Sequence, residues 1–476
     1  MDHSLAAPPL LSPEQARAWW YGLINFEQRT PRADDLKLEH MRRLLAQLGN
    51  PHQRLRIVHI AGSKGKGSTA AMLASILRQA GYRTGLFTSP HLCRVEERFQ
   101  VDGQAISTAE LTTLLDEIRC CAEAPLPQPS STRGEGENGP LSPGGGGPGW
   151  GRGVPYTFFE VATAAGFLHF VRRRVEAAVV EVGLGGRLDS TNVCQPLVSI
   201  ITSISFDHTH LLGDRLAAIA AEKGGIIKPG RPIISGATVP EARAVIERIS
   251  RERRAPLRQL GVDFRYAYTP GHVTATQTQR SYVSVVTPYR RWPELELNLL
   301  GNHQAANAAV AIACVEALQV EGWHIPDTAV AAGLAEVSWP ARLEVVSRRP
   351  LIVLDCAHNV ASALALVEAL QASFPPARRL LIFAGSSDKD LAGMFRVLAP
   401  HFAHAFLTRY TDNPRSVSAE RLAELLRANS NLPATLYPTP ADAYQAARAA
   451  AAPDDVIVIT GSVYLAGELR PLLVSG

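Results

Sequence analysis

Short apolar runs rich in β-branched residues alternate along most of the chain with segments whose apolar positions follow a helical period. The first half contains RIVHIAG, RTGLFTS, AAVVEVGL, LVSIITSI and RPIISG, and the last third contains LIVLDCA, LLIFAGS, HAFLTR and VIVITGS. Helical patterns such as AAMLASILRQAG and NAAVAIACVEAL lie between many of them. This alternation is typical of parallel sheets covered by helices on both faces. We therefore predict an α/β fold with two doubly wound domains.

Two regions interrupt the alternation. Residues 124–155 are rich in Gly, Pro and Ser, cannot bury a core, and are predicted to form a disordered loop insertion. From about residue 255 to 300, apolar and polar positions alternate in YVSVVTPYRRWPELELNLLG, which predicts antiparallel hairpins appended to the first domain. Pro340 marks a turn between the two α/β blocks, and we predict domains at 1–337 and 338–476.

The composition narrows the class of protein. With 476 residues, 46% hydrophobic and 19% charged, the chain has the profile of a globular protein with more than one core. Its net charge of +4 permits anionic small substrates, but there is no compact basic block that would indicate nucleic-acid binding. No C-x-x-C pair, signal-peptide pattern or long apolar stretch occurs, so we expect a cytoplasmic monomer with reduced thiols and no membrane contact.

A glycine-rich turn, GSKGKGST, follows the apolar run RIVHIA and precedes a helical pattern. A strand, such a turn and a helix form a phosphate cradle, because backbone N–H groups converge at the helix N-terminus. The common phosphate loop has Ser or Thr directly after its Lys, whereas here Gly67 follows Lys66. The first domain is predicted to be of the P-loop ATPase type. The predicted phosphate-binding residues are Gly62, Gly65, Lys66, Gly67, Ser68 and Thr69.

Polar residues follow several later strands. Ser89, Glu181 and His208 lie at or just after strand ends, and the carboxyl ends of parallel strands meet at one crevice. A hydroxyl, a carboxylate and an imidazole there suit Mg²⁺ shared with nucleotide phosphates. Each residue alone is more often a turn or capping residue, and their order along one sheet favours a site. Lys223, judged by its position alone, is a solvated cation at a helix end.

Together these motifs resemble the folylpolyglutamate synthase and dihydrofolate synthase family of the Mur ligase superfamily, over nearly the whole chain outside residues 124–155. That family's loop reads G-T-N-G-K-G-S, with Gly after the Lys, and this chain departs from it at Ser63 and Lys64. The resemblance implies that Ser89 in TSPH, Glu181 in EVGLGG and His208 in FDH bind Mg²⁺. It also implies that Lys223 in EKGGIIK is carbamylated and binds a second Mg²⁺.

The resemblance further implies sites for folate and for ATP. The second domain is expected to be Rossmann-like and to contribute Arg342 from WPARLE and Asp355 and His358 from LIVLDCAHN. The nucleotide contacts implied are Gln304, Asn307, Arg342, Asp355 and His358. The folate contacts implied are Asp35, Leu36, Lys37, Leu38, Thr157, Phe158, Phe159, Glu160, Leu188, Asp189 and Ser190.

The implied activity is ATP-dependent addition of L-glutamate to a folate carboxylate through an acyl phosphate. Lys66, His208, carbamylated Lys223 and Arg342 are the implied catalytic residues. The acceptor is a folate for folylpolyglutamate synthase, which we favour, or dihydropteroate for dihydrofolate synthase, and RLDSTN does not decide between them. Dihydrofolate synthase activity, alone or in addition, stays open. A cell-wall ligase fits TSPH and DSTN less well, and a non-catalytic nucleotide-binding regulator fits the intact site less well.

Overall fold

The computed structural model describes residues 11–28, 37–123, 156–206 and 213–474. Three of the predicted site residues, Asp35, Leu36 and His208, lie outside the described residues, as does the predicted insertion at 124–155. The described chain contains two α/β units, each built on its own central sheet, together with a small antiparallel sheet. The predicted α/β fold is confirmed.

The first sheet contains eight strands within the described residues. They are β1 (Ile57–Ala61), β2 (Thr84–Phe87), β3 (Phe99–Val101), β4 (Gln104–Ala105), β5 (Ala177–Glu181), β6 (Val198–Ile201), β7 (Ile233–Ser235) and β8 (Leu257–Gln259). Their order across the sheet is β4-β3-β2-β5-β1-β6-β7-β8. The pairs from β2 to β8 are parallel, whereas β3 and β4 pair antiparallel at one edge.

Helices cover both faces of this sheet. They are α1 (Pro13–Tyr21), α2 (Leu38–Gln47), α3 (Lys66–Gln79), α4 (Thr108–Glu123), α5 (Phe158–Arg172), α6 (Leu216–Gly224), α7 (Pro240–Glu252), α8 (Asn302–Val320) and α9 (Asp327–Glu336). Successive side chains of β1 point to opposite faces. Val58 and Ile60 pack with α3, α8 and α9, while Ile57 packs with α1, α2, α4 and α5. The doubly wound arrangement of the first unit is therefore confirmed.

The predicted β-appendage is a three-stranded antiparallel sheet. Its strands are β9 (Arg265–Thr269), β10 (Ser281–Val286) and β11 (Leu295–Leu297), in the order β11-β10-β9. Buried and half-buried residues alternate along β10, as the period-2 pattern predicts. Val283 and Val285 join the core cluster of α8, so the appendage belongs with the first unit.

The second sheet contains six strands within the described residues. They are β12 (Glu344–Arg348), β13 (Leu351–Leu354), β14 (Arg379–Phe383), β15 (His404–Leu407), β16 (Ala434–Leu436) and β17 (Val456–Thr460). Their order is β12-β13-β17-β14-β15-β16, with only β12 antiparallel to its neighbour. The helices around it are α10 (Val360–Ser373), α11 (Leu391–Leu398), α12 (Ala419–Asn429), α13 (Pro440–Ala450) and α14 (Val463–Val474).

The two units contact each other directly. The Asn413 side-chain amide donates to the Glu27 carbonyl oxygen at 3.2 Å. Gly467 of α14 lies so close to the Leu92 carbonyl oxygen that a methyl group on its Cα would overlap it. Loops at the carboxyl edge of the first sheet therefore face the second sheet. The boundary predicted near residue 338 falls between α9 and β12 and stays a prediction.

Two further findings bear on the sequence-based expectations. All six cysteines are free thiols. None of the helices in the described ranges combines the length and the hydropathy needed to cross a membrane.

Candidate active site

A cleft of about 270 Å³ lies between the two α/β units and is lined by residues of both. It opens at the carboxyl edge of the first sheet, where ligands bind in folds of this kind. Twelve of the predicted site residues line it: Lys37, Gly67, Ser89, Thr157, Phe159, Glu160, Glu181, Leu188, Asp189, Ser190, Arg342 and His358.

The glycine-rich loop is held against the chain that follows β6. The Lys64 carbonyl oxygen accepts hydrogen bonds from the Thr202 hydroxyl at 2.6 Å and the Ser203 hydroxyl at 3.0 Å. Gly65 has φ +83° at the start of α3, and a Cβ there would overlap the Asn307 side chain. This backbone conformation and this close approach both require glycine. The turn therefore leads directly into the start of α3, where a helix offers N–H groups to an anion, as a phosphate site needs.

Lys66 and Glu181 meet beside this loop. The Lys66 Nζ atom lies 3.8 Å from the Glu181 carboxylate, and the Ser89 backbone N–H donates to that carboxylate at 3.3 Å. Glu181 is only 4% exposed, and its burial raises the pKa of its carboxyl, an effect that the Lys66 charge opposes. The structure thus brings together Ser89 and Glu181, two of the three residues at strand ends that were predicted to converge.

Lys223 lies under the glycine-rich loop rather than in solvent. It is 4% exposed, and its Nζ atom donates to the Gly62 carbonyl oxygen at 3.1 Å. A lysine ammonium in such a place carries a large desolvation cost. The interpretation of Lys223 as a solvated helix-end cation is therefore wrong, because α6 packs against the loop and buries this side chain.

Arg342 reaches the cleft from the chain just before β12. Its guanidinium contacts the Cys356 thiol and donates to the Ala341 carbonyl oxygen at 3.0 Å. Asp355 lies behind it and accepts from the backbone N–H groups of Leu343 at 3.1 Å and Ala357 at 2.7 Å. Burial raises the pKa of the Asp355 carboxyl, and the Arg342 charge opposes that shift. Asp355 thus fixes the backbone that carries Arg342 instead of facing the cleft.

The opposite end of the cleft is formed by the start of α5 and by the turn after β5. The Thr157 hydroxyl accepts from the Glu160 backbone N–H at 3.1 Å, and the Glu160 carboxylate accepts from the Thr157 backbone N–H at 2.8 Å, which makes a capping box. The Phe159 ring covers Gly183, where a Cβ would come within 2.5 Å of it. The ring and the Glu160 carboxylate therefore share one wall of the cleft.

A second cavity, of about 440 Å³, lies on the other side of the glycine-rich loop. Lys64, Gly65 and Asn307 line it, and the Asn307 side-chain amide donates to Gln304 at 3.0 Å. His303 also lines it and was not predicted. The loop therefore has a cavity on each side.

The remaining predicted residues lie outside the cleft lining. Gly62, Ser68 and Thr69 are buried in the loop and the first turn of α3, Leu38 begins α2, and Phe158 is 1% exposed in the core. The Phe158 ring stacks on Trp20 at 4.5 Å between centroids. Sequence reasoning missed several cleft residues: Asn25, Phe26, Glu27, Trp339, Ser386, Asp388, Lys389, Arg415 and Tyr464. Of these, Trp339 had a signal, since it stands next to Arg342 in SWPARLE.

Comparison with known proteins gives matches along most of the chain. Residues 154–315 match the Mur ligase middle domain, and residues 341–463 match the Mur ligase, glutamate ligase domain. A dihydrofolate synthase/folylpolyglutamate synthase of Bacillus subtilis is 34% identical over 97% of this chain and 99% of its own. A folylpolyglutamate synthase of Lacticaseibacillus casei is 34% identical over 91% of this chain and 93% of its own.

A solved structure matches the fold equally widely. The structure of Escherichia coli FolC in complex with DHPP and ADP has a TM-score of 0.81 and 28% identity, and the match covers 98% of this chain and 99% of that one. The fold has two α/β units that enclose a cleft at a phosphate loop, and the chain matches both Mur ligase domains. These features define a Mur-type ligase. The chain belongs to the dihydrofolate synthase/folylpolyglutamate synthase family. The resemblance inferred from the motifs, and with it the ligase class, is confirmed.

Glu160 provides a test of the electrostatics of the cleft. Burial raises the pKa of its carboxyl from the ordinary 4.5 to about 7. The folded protein thus holds this proton more tightly than the unfolded chain. The contribution of the Glu160 proton to the free energy of unfolding is complete below pH 4.5 and is lost as the pH rises to about 7. We predict that Glu160→Gln, which keeps the capping box, gains about 3 kcal/mol over the natural protein between these pH values.

Urea unfolding at a series of pH values measures that difference. Glu14→Gln is the control, because a backbone hydrogen bond and the Ser12 hydroxyl lower the pKa of Glu14, so it stays ionised over this range. A difference between Glu160→Gln and the natural protein that stays constant from pH 4.5 to 7.5 would show that Glu160 titrates normally.

Proposed function

We propose that this chain catalyses ATP-dependent ligation of L-glutamate to a folate carboxylate, as a folylpolyglutamate synthase. The observation that carries the proposal is the single cleft lined by Glu181, which lies beside Lys66, by Arg342 from the second unit, and by residues of the acceptor segments 157–160 and 188–190. The names of the Bacillus subtilis and Lacticaseibacillus casei relatives support it, as does the complex of Escherichia coli FolC with DHPP and ADP.

ATP is proposed to bind with its phosphates at the loop Gly62–Thr69. The N–H groups at the start of α3 and the Lys66 ammonium suit the charge of the β- and γ-phosphates. The cavity beside Asn307 suits the nucleoside, because it opens on the same loop and is lined by polar and aromatic side chains. Its lining supports the predicted nucleotide role of Asn307, with Gln304 holding the Asn307 amide.

Mg²⁺ fits the donor groups beside the loop. Ser89 offers a hydroxyl next to the buried Glu181 carboxylate, and oxygen ligands are those that Mg²⁺ prefers. Ser89 and Glu181 would hold the ion, with His208 as the third ligand implied by the motif. When bound, Mg²⁺ supplies charge neutralisation for the phosphates. Lys223 is proposed to be carbamylated, as the motif EKGGIIK implies, and its burial beside Gly62 places that group directly under the loop.

The chemistry follows from this arrangement. A folate carboxylate oxygen attacks the γ-phosphorus of ATP, the bond to ADP breaks, and an acyl phosphate forms. Lys66 and Arg342 face the reacting region from opposite units and offset its negative charge. The glutamate amine then attacks the acyl carbon, phosphate leaves, and the nitrogen loses a proton to give the amide. Because acyl phosphates hydrolyse readily, the contact between the units also serves to exclude water.

L-Glutamate is proposed to enter from the side of the second unit. Lys389 and Arg415 line this part of the cleft, and both lie near the Asp388 carboxylate, at 3.3 and 3.4 Å. Two cations suit the carboxylates of the amino acid, and a neighbouring carboxylate keeps the cations oriented in its absence.

The acceptor is tested by mass spectrometry of the products. Purified protein is incubated with Mg²⁺, ATP, L-glutamate and bicarbonate, with dihydropteroate in one reaction and a reduced folate monoglutamate in another. We predict a mass gain of one or more glutamyl residues on the folate. A gain on both acceptors identifies a bifunctional enzyme, whereas a gain on dihydropteroate alone identifies a dihydrofolate synthase. No gain on either, with ATP still bound, would favour the non-catalytic nucleotide-binding regulator.

Lys223 is tested by two variants. We predict that Lys223→Ala and Lys223→Arg each lower kcat by about 100-fold or more, as loss of a group that stabilises transition-state charge does. ATP binding, measured by equilibrium dialysis, should change little. Arginine keeps the positive charge but cannot carry the carbamate. Activity retained in Lys223→Arg would therefore contradict carbamylation while leaving the ligase proposal intact.

A further inference from the structure

We propose that His59 and Thr191 are positioning residues for the folate acceptor: they hold Asp189 and, through it, the turn 183–190 that lines the cleft. The inference rests on the proposed function, because the turn is assigned there to the acceptor. His59 lies in the middle of β1, inside the apolar run that leads to the glycine-rich loop. Neither His59 nor Thr191 reaches the cleft itself.

The three side chains form a continuous buried chain of hydrogen bonds. His59 Nε2 lies 2.8 Å from Thr191 Oγ1, and the Thr191 hydroxyl donates to the Asp189 carboxylate at 2.5 Å. His59 and Thr191 are 0% exposed and Asp189 is 6% exposed. The chain thus connects the centre of the first sheet to the wall of the cleft.

The direction of each hydrogen bond follows from the groups present. The Asp189 carboxylate is only an acceptor, so the single hydrogen of the Thr191 hydroxyl is donated to it. The hydroxyl oxygen is then free to accept, so the histidine must carry its hydrogen on Nε2. Burial, together with the nearby charge of Lys228, lowers the pKa of His59 to about 3, so the ring is neutral. The chain therefore requires one tautomer of His59.

Asp189 in turn folds the turn after β5 around its carboxylate. One oxygen accepts from the Thr191 backbone N–H at 3.0 Å, and the other accepts from the Leu184 backbone N–H at 2.9 Å. These bonds span the turn from its beginning to its end. Loss of the Thr191 hydroxyl would therefore remove one of the hydrogen bonds that hold the Asp189 carboxylate, around which Leu188 and Ser190 are arranged.

The same turn is braced against α6. The Arg187 backbone N–H donates to the Glu222 carbonyl oxygen at 2.8 Å, and the Asn192 side chain donates to the Arg187 carbonyl oxygen at 2.9 Å. Glu222 immediately precedes Lys223. A shift of the turn would thus also displace the backbone next to Lys223, in addition to the acceptor site.

A histidine among apolar residues costs desolvation free energy that leucine or valine would not. The hydrogen bond to Thr191 offsets that cost only in part, because Nδ1 has no hydrogen-bond partner among the described residues. A core position that served packing alone would favour an apolar side chain. The polar residues His59 and Thr191 are instead explained by the group they hold, the Asp189 carboxylate that shapes the cleft.

The experiment compares Thr191→Val with Thr191→Ser. Valine has the shape of threonine without the hydroxyl, and serine keeps the hydroxyl without the methyl group. We expect Thr191→Val to raise KM for the reduced folate on the order of 10-fold, the effect of losing a hydrogen bond to a charged group, with KM for ATP unchanged. Thr191→Ser should keep KM for the folate within about 3-fold of the natural value, which a purely steric role of the methyl group would not allow.

His59 provides the second pair, and it covers the case in which valine at position 191 prevents folding. His59→Gln keeps an N–H donor near Nε2, whereas His59→Leu removes it. We expect His59→Leu to raise KM for the folate and His59→Gln to restore it. The double variant His59→Leu/Thr191→Val should raise KM for the folate no further than the more impaired of the two single variants, because both substitutions break the same chain of hydrogen bonds.

Three outcomes would overturn the inference: unchanged KM for the folate in Thr191→Val, equal loss in the valine and serine variants, or additive effects in the double variant. The natural protein is assayed alongside. If it does not ligate glutamate to any folate, the proposed function fails, and this outcome is distinct from failure of the positioning role in an active enzyme.

Discussion

A buried carboxylate beside a lysine organises this structure. Glu181 ends the central strand β5 at 4% exposure, and such a group is tolerated only where opposite charge or N–H donors compensate its lost hydration. Lys66 at 3.8 Å and the Ser89 N–H at 3.3 Å provide that compensation. Lys66 follows β1 and Ser89 follows β2, and both strands are neighbours of β5. The charge balance of the cleft therefore depends on the strand order of the first sheet.

The second unit completes this arrangement at a conformational cost. Ala341 and Leu343, on either side of Arg342, have φ +55° and +51°, a region that residues other than glycine rarely adopt. Asp355 compensates by accepting the Leu343 N–H at 3.1 Å. The strained backbone is consistent with a functional constraint, since it brings the Arg342 guanidinium into a cleft whose other wall belongs to the first unit.

Much of this was predictable from local sequence. Long apolar strands and the loop GSKGKGST are encoded by neighbouring residues, and the structure has both where they were predicted. The antiparallel edges β3, β4 and β12 and the short strands β8 and β16 were not predicted. β16, for example, is exposed at every position and lacks an apolar pattern.

The missed parts of the cleft share a different cause. Two of these residues, Lys389 and Arg415, come from loops, and Tyr464 comes from the first turn of α14. Only the packing of the two units brings them to the cleft. The position of Lys223 alone indicates an exposed cation, because its burial depends on α6 meeting the glycine-rich loop, which no local pattern shows. His59 was hidden in an apolar run, where a pattern cannot distinguish a packed residue from one that supports a site.

The central claim is that this cleft joins L-glutamate to a folate carboxylate through an acyl phosphate formed from ATP. The most direct measurement uses a folate whose reacting carboxylate is labelled with ¹⁸O, followed by mass analysis of the phosphate released during ligation. Formation of an acyl phosphate transfers one labelled oxygen to phosphate in each turnover. Glutamate ligation accompanied by unlabelled phosphate would contradict the account, because the carboxylate would not have attacked the γ-phosphorus.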